Sequence, residues 1–200
     1  MPPQGNATGS YSSFADHSPN TPLLDLVASL GKDINDPNLD IHTDNSTWLR
    51  GMWPTDANGV TEMRTVFPGF YISRSIHIHV RSHTDWAVRD NGTVVSSNVV
   101  STGQMYFDED LSKKIMALEP YSFHTQINRT TNDVDSLWPL GAATGWSPNF
   151  HVEPLDSEDV TKGMVGYITL GIDLTHRSPA GLFGGQRIDT EGGLKARREA

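Results

Sequence analysis

The chain contains no cysteine, which removes disulfide bonds and every thiolate metal site from consideration. Basic residues are scarce as well: 15 Lys and Arg stand against 24 Asp and Glu, a formal net charge of −9 over 200 residues. Nucleic acid and anionic membrane both demand a basic patch, so neither is expected as a partner. No apolar run approaches the roughly 20 residues of a membrane span. The opening "MPPQG" has neither the charged nor the apolar region of a signal peptide. Internal repeats are absent too. What is present is an ordinary globular balance, 36% hydrophobic and 20% charged, in a length that suits one domain with a real core.

The first 60 residues are rich in Ser, Asn, Asp, Gly and Pro and read as loops, apart from a helical turn or two over residues 23–30. "DANG" at 56–59 is a turn signal, and residues 60–67 after it have strand-like content. "FPGFY" at 67–71 is a second turn. Residues 75–82 then alternate apolar and polar with period two. "DNGT" at 90–93 turns the chain towards a strand over 103–107. Asp108 is placed to cap a short helix with Leu111, Ile115 and Leu118 on its apolar face, stopped by Pro120. Residues 164–174, "MVGYITLGIDL", form the most convincing strand pattern in the chain.

Short strands with turn-rich connections and few helices predict an all-β fold, an antiparallel β-sandwich or barrel. A sandwich of this kind needs about seven strands, more than this chain offers, so the shortfall is expected at the N-terminus. Residues 1–175 are expected to form the core. Residues 176–200, rich in Gly, Arg and Glu, are expected to be a disordered tail. Four N-x-S/T sequons begin at Asn6, Asn45, Asn91 and Asn128. Chance alone supplies about two, so they point mildly to an extracellular glycoprotein.

The most informative stretch is "PGFYISRSIHIHV", residues 68–80. Alternation along a strand puts His77 and His79 on one face. Their neighbours Ile76, Ile78 and Val80 are apolar, so the other face belongs in a core. Pro68-Gly69 allows a bend that brings Tyr71 back over the pair. Arg74 is costly near a half-buried site unless an anion meets it. On a regular strand Arg74 would point away from the histidines, so a bend at residues 73–75 is required to bring it round. The remaining histidines are scattered. Imidazole with hard oxygen donors is an iron-type set, whereas zinc would more readily take a third histidine or a carboxylate. A zinc hydrolase or structural zinc module therefore stays open as the lesser reading.

The stretch "TWLRGMWPTDANGVTEMRTVFPGFYISRSIHIHV" (47–80), followed by "TGQMYFDED" (102–110), resembles the intradiol ring-cleavage dioxygenases. It is most similar to the fungal branch related to the protocatechuate 3,4-dioxygenase β-subunit. "NATGSYSSF" (6–14) resembles the segment that carries that family's first tyrosine ligand, and "GYITLGID" (166–173) its late core strand. The resemblance implies an Fe(III) cofactor held by Tyr11, Tyr71, His77 and His79. It implies a catechol-type substrate and O2 as partners, cleavage between the two hydroxyl-bearing carbons, and a muconate-type diacid as product. It implies that Tyr71 leaves the metal when catechol binds, and acts as a base. Arg74 would stabilise anionic character on the substrate, and Gln104 would hydrogen-bond the oxygenated intermediate. It also implies strands ahead of Tyr11, so the fold is expected to be incomplete at the N-terminus. The alternative is a secreted β-sandwich that binds metal or aromatic ligands without turnover.

Charge accounts for the ligand set that the resemblance implies. Phenol ionises only near a pKa of about 10, so tyrosinate ligation calls for a strongly acidic ion such as Fe(III). Two tyrosinates and a hydroxide cancel its charge, and a catechol dianion can replace hydroxide plus one tyrosinate without changing the total. Asp108, Glu109 and Asp110 read as helix-start acids that complement the helix dipole. Arg50 and Asp56 read as structural. Trp48, Trp53 and Trp86 read as core or pocket lining.

Overall fold

A computed structural model describes residues 23–33, 51–92, 94–142, 145–156 and 158–176. Tyr11, the 6–14 segment and the 177–200 tail lie outside these residues. The expected helical piece near the N-terminus is α1, Leu23–Ser29. It ends at Gly31, whose φ of 65° lets its N–H reach the Ala28 carbonyl at 2.9 Å.

The dominant element is a long antiparallel hairpin of β1, His77–Val88, and β2, Val94–Tyr106. The predicted turn joins them. Gly92 takes a φ of 81° and donates its N–H to the Arg89 carbonyl at 2.8 Å. Pairing runs from Val88 opposite Val94 to His77 opposite Tyr106, with one irregularity: Ser82 faces Ser101, but His83 faces Val99. Val100 is thus an extra residue in β2, a β-bulge. In the half of the hairpin before the bulge, His77 lies opposite Tyr106 and His79 opposite Gln104, while Ile78 lies opposite Met105. Cross-strand partners share a face, so one face carries polar groups and the other the core.

That core is built on Phe70, Ile76 and Phe107, with Phe67, Ile78 and Phe150 packed against them. Phe107 is central: its ring centroid lies 4.4 Å from Phe67 and 5.1 Å from Phe150. Helix α2, Glu109–Met116, follows directly. Asp108 caps it as expected, its carboxylate accepting from the N–H groups of Asp110 at 2.8 Å and Leu111 at 3.3 Å. Leu111 joins the core, Ile115 is buried, and Leu118 lies just past the helix end. A short helix α3, Trp138–Gly141, precedes a second hairpin of β3, His151–Pro154, and β4, Met164–Tyr167. The two hairpins are joined at Tyr106. Its N–H donates to the Pro148 carbonyl, and its carbonyl accepts from the Phe150 N–H, both at 2.8 Å.

The architecture is strand-rich, with two small antiparallel sheets and few helices among the described residues. Two strand expectations need correction. Residues 60–67 form no strand; residues 51–66 are exposed throughout, because strand-like composition yields a strand only where an edge offers partners. The expected strand over 164–174 ends at Tyr167. Opposite Ile168 the next partner would be Phe150, and that N–H is already committed to Tyr106.

Candidate active site

The site grows from a tight turn just before β1. The bend required to bring Arg74 round, expected at residues 73–75, falls at Ile72-Ser73, and this turn rather than one at Pro68-Gly69 brings Tyr71 beside the pair. Arg74 pairs back on Tyr71, its N–H reaching the Tyr71 carbonyl at 3.3 Å, and Ser73 takes a φ of 64°. A serine in this left-handed region is uncommon and costs free energy. It turns Tyr71 and Arg74 onto the same side as the histidine pair.

His77 is fully buried. Its Nδ1–H donates to the Ser75 carbonyl at 2.7 Å, which leaves the lone pair on Nε2. Around that lone pair lie the Tyr71 hydroxyl at 3.3 Å and His79 Nε2 at 3.2 Å. Burial, followed by the neighbouring His79 and Arg74, pushes the His77 pKa down to about 3. The imidazole is therefore neutral, the form that binds a metal.

Arg74 reaches across the same face. Its Nε donates to Asp135 Oδ2 at 2.8 Å and one terminal nitrogen to the Tyr71 hydroxyl at 3.3 Å. The other terminal nitrogen contacts Gln104 Oε1, the Tyr106 hydroxyl at 3.3 Å and Asp135 Oδ1 at 3.4 Å. Tyr106 donates its own O–H to Gln104 Oε1 at 2.6 Å. Burial, reinforced by the Asp135 charge, raises the Tyr106 pKa to about 12, so this phenol stays neutral and remains a donor. With two donors on Oε1, the Gln104 amide must use its NH2 group for any further bond.

Of the residues singled out from the sequence, Tyr71, Arg74, His77, His79 and Gln104 come together on one end of the hairpin; Tyr11 lies outside the described residues. Asp108 and Glu109 sit at the helix start, where Glu109 accepts from the Asn132 N–H at 2.7 Å and pairs with Arg129 at 2.7 Å. Trp53 and Trp86 line no core: they are 72% and 37% exposed. Two residues of the site were not anticipated. Tyr106 lies within "TGQMYFDED", where strand alternation puts it on the face of Gln104. Asp135 had only a local signal, an Asx ahead of Trp138-Pro139 of the kind that opens a helix.

Among the described residues no group of three or more His, Asp and Glu side chains gathers as a metal site. The donors that converge are two imidazoles and a phenol. Their spacings of 3.2 and 3.3 Å suit groups sharing one small ion, since ligands about 2.1 Å from a metal stand roughly 3.0–3.4 Å apart. The residues present therefore fit a ferric ion.

Among solved structures, the chain is similar to the intradiol ring-cleavage dioxygenase from Tetranychus urticae. Identity is 31% and the TM-score 0.55, over 68% of this chain and 59% of that one. A second solved structure, a crystal structure of a dioxygenase, is 29% identical with a TM-score of 0.54, covering 72% of this chain and 61% of its own. The chain thus spans about three fifths of the length of these relatives. No protein-family profile and no curated protein sequence matches it. The chain belongs to the intradiol ring-cleavage dioxygenase family.

Proposed function

We propose that the protein is a nonheme ferric dioxygenase that opens a catechol-type ring between its two hydroxyl-bearing carbons, giving a muconate-type diacid. One observation carries the reading: Tyr71 Oη at 3.3 Å and His79 Nε2 at 3.2 Å both adjoin His77 Nε2, beside the Arg74–Gln104 pair. These three donors would hold the iron, with Tyr11 as a fourth. When bound, the ferric ion supplies the Lewis acidity that keeps a catechol oxygen anionic and makes its ring reactive towards O2.

The chain's own residues supply the rest. Tyr71 is a base in waiting, because its oxygen can take up a catechol proton on leaving its place beside His77. The Arg74 N–H that now rests on the Tyr71 hydroxyl is then available to the anionic oxygen that replaces it. Gln104, its Oε1 occupied, offers N–H donors to an oxygen-rich intermediate. We further propose that the fold is a β-sandwich of the family type and that the protein acts outside the cell.

The test is an oxygen-uptake assay of the iron-loaded chain against a panel of catechols, read beside its visible absorption. Tyrosinate on ferric iron gives a coloured protein. Tyr71→Phe is expected to retain iron with a changed band and slower turnover, and His79→Ala to lose most of the iron. Arg74→Ala should keep its iron but lose about 2–4 kcal/mol of transition-state stabilisation, as when an oxyanion donor is removed. A colourless loaded protein, or full iron in every ligand variant, would overturn the assignment.

A further inference from the structure

We propose that Asp135 is the positioning residue of this site: it aims the Arg74 guanidinium at Tyr71 and Gln104 and cancels its charge. Selection of an anionic ligand then depends on hydrogen-bond direction rather than on net positive potential. The proposal rests on the reading of the site given above.

Asp135 comes from a loop 61 residues further along the chain, and its side chain is fully buried. Its carboxylate is surrounded by N–H donors. Oδ2 accepts from Arg74 Nε and from the Ser75 N–H, both at 2.8 Å. Oδ1 accepts from the N–H groups of Leu137 at 2.8 Å and Trp138 at 2.9 Å, with Arg74 again at 3.4 Å. A carboxylate has about four lone-pair positions, so these contacts leave no room for a proton, and Asp135 is no general base. Burial alone would raise its pKa, but the Arg74 and backbone hydrogen bonds outweigh it and bring it down to about 2.

The loop that presents Asp135 is itself fixed. Asn132 donates its side-chain N–H to the Phe107 carbonyl at 2.8 Å, and the Trp138 indole donates to Asn149 Oδ1 at 2.9 Å. Both anchors lie beside Tyr106, at the end of β2. Asp135 is thus held against the same strand end that carries Gln104. It grips the inner edge of the guanidinium, which directs the remaining N–H groups towards Tyr71, Gln104 and Tyr106. A group that only balanced charge would not also bind the Ser75 N–H, whose own carbonyl orients His77.

The test compares Asp135→Asn and Asp135→Glu, each with Arg74 present and with Arg74→Ala. The readouts are kcat of the iron-loaded chain, anaerobic affinity for 4-nitrocatechol by absorbance, and melting of the metal-free chain. Asp135→Asn keeps the acceptor for Leu137 and Trp138 but unbalances and misaims Arg74. It should lower kcat by about tenfold while tightening 4-nitrocatechol about threefold, a split that loss of structure would not produce. Asp135→Glu retains the charge and displaces it. It should lower kcat with probe affinity unchanged within about twofold. With Arg74→Ala, neither Asp135 variant should change kcat by more than about twofold, since no guanidinium remains to be aimed. In the metal-free chain, Asp135→Asn should raise the melting point of Arg74→Ala, because it removes a buried charge left unpaired. If probe affinity and kcat fall together in Asp135→Asn, or kcat changes equally with and without Arg74, the proposal is wrong. If wild type consumes no oxygen with any catechol, the proposed reaction falls, and the probe and melting arms still decide the role of Asp135.

Discussion

His77 shows what burial does to a single ionisable residue. Unfolded, it titrates near 6.5; folded, its pKa is depressed to about 3, so the unfolded chain binds the extra proton at every pH between these values. The stability that His77 contributes to the metal-free protein is therefore complete above about pH 6.5 and falls progressively as pH drops towards 3. The His77 contribution to that loss is about 3–5 kcal/mol. His83 and His124 are also depressed by burial and push in the same direction. The informative quantity is thus a difference: urea unfolding of metal-free His77→Gln should depend less on pH between 6.5 and 4 than wild type does. Parallel curves would mean that His77 is solvated or already charged in the native state. Above that window the same depression keeps the Nε2 lone pair available next to Tyr71 and His79.

At the scale of elements, the turn before β1 and the register of the hairpin decide which side chains meet. Ser73 stands at a φ of 64° with Arg74 folded back on Tyr71. Ser73→Val places a β-branched residue where it fits poorly and should cost about 1–3 kcal/mol, with weaker iron retention as Tyr71 is displaced. Ser73→Gly should be tolerated in both melting point and iron content. Equal behaviour of the two variants would show that the turn does not set the site. Much of this was legible in the sequence. Period two puts His77 and His79 on one side, the bend is demanded by the odd spacing of Arg74, and Asp108 announces the helix. The length of β2 was not legible: "VVSSNVVST" mixes polar and β-branched residues, and the extra Val100 breaks the alternation on which a reading by period depends. The strand over 164–174 was over-read because alternation reports a half-buried surface, not whether a neighbouring N–H is already taken. Asp135 could be read only as the start of a local turn, since no local pattern reveals a partner 61 residues away.

At the scale of the whole molecule, one long described segment stands apart from the core cluster. Residues 51–66 are exposed, with Trp53 72%, Val60 62% and Met63 53% accessible. Exposed apolar side chains clustered in one segment offer binding points for hydrophobic probes. Trp53→Ser combined with Met63→Ser should reduce binding of a hydrophobic dye while changing stability by no more than about 0.5 kcal/mol, since neither side chain supports the core. A marked loss of melting temperature would show that this segment is packed in solution.

The 61-residue span between Arg74 and Asp135 also orders events in time. The β1–β2 hairpin closes over a short turn and can form early, whereas the Asp135 loop must first bring together distant parts of the chain. Until it arrives, Arg74 has no buried counter-charge and is better left in water. The Arg74–Asp135 contact is thus expected to close after the hairpin that carries His77, His79 and Gln104, and to open before that hairpin when the fold loosens.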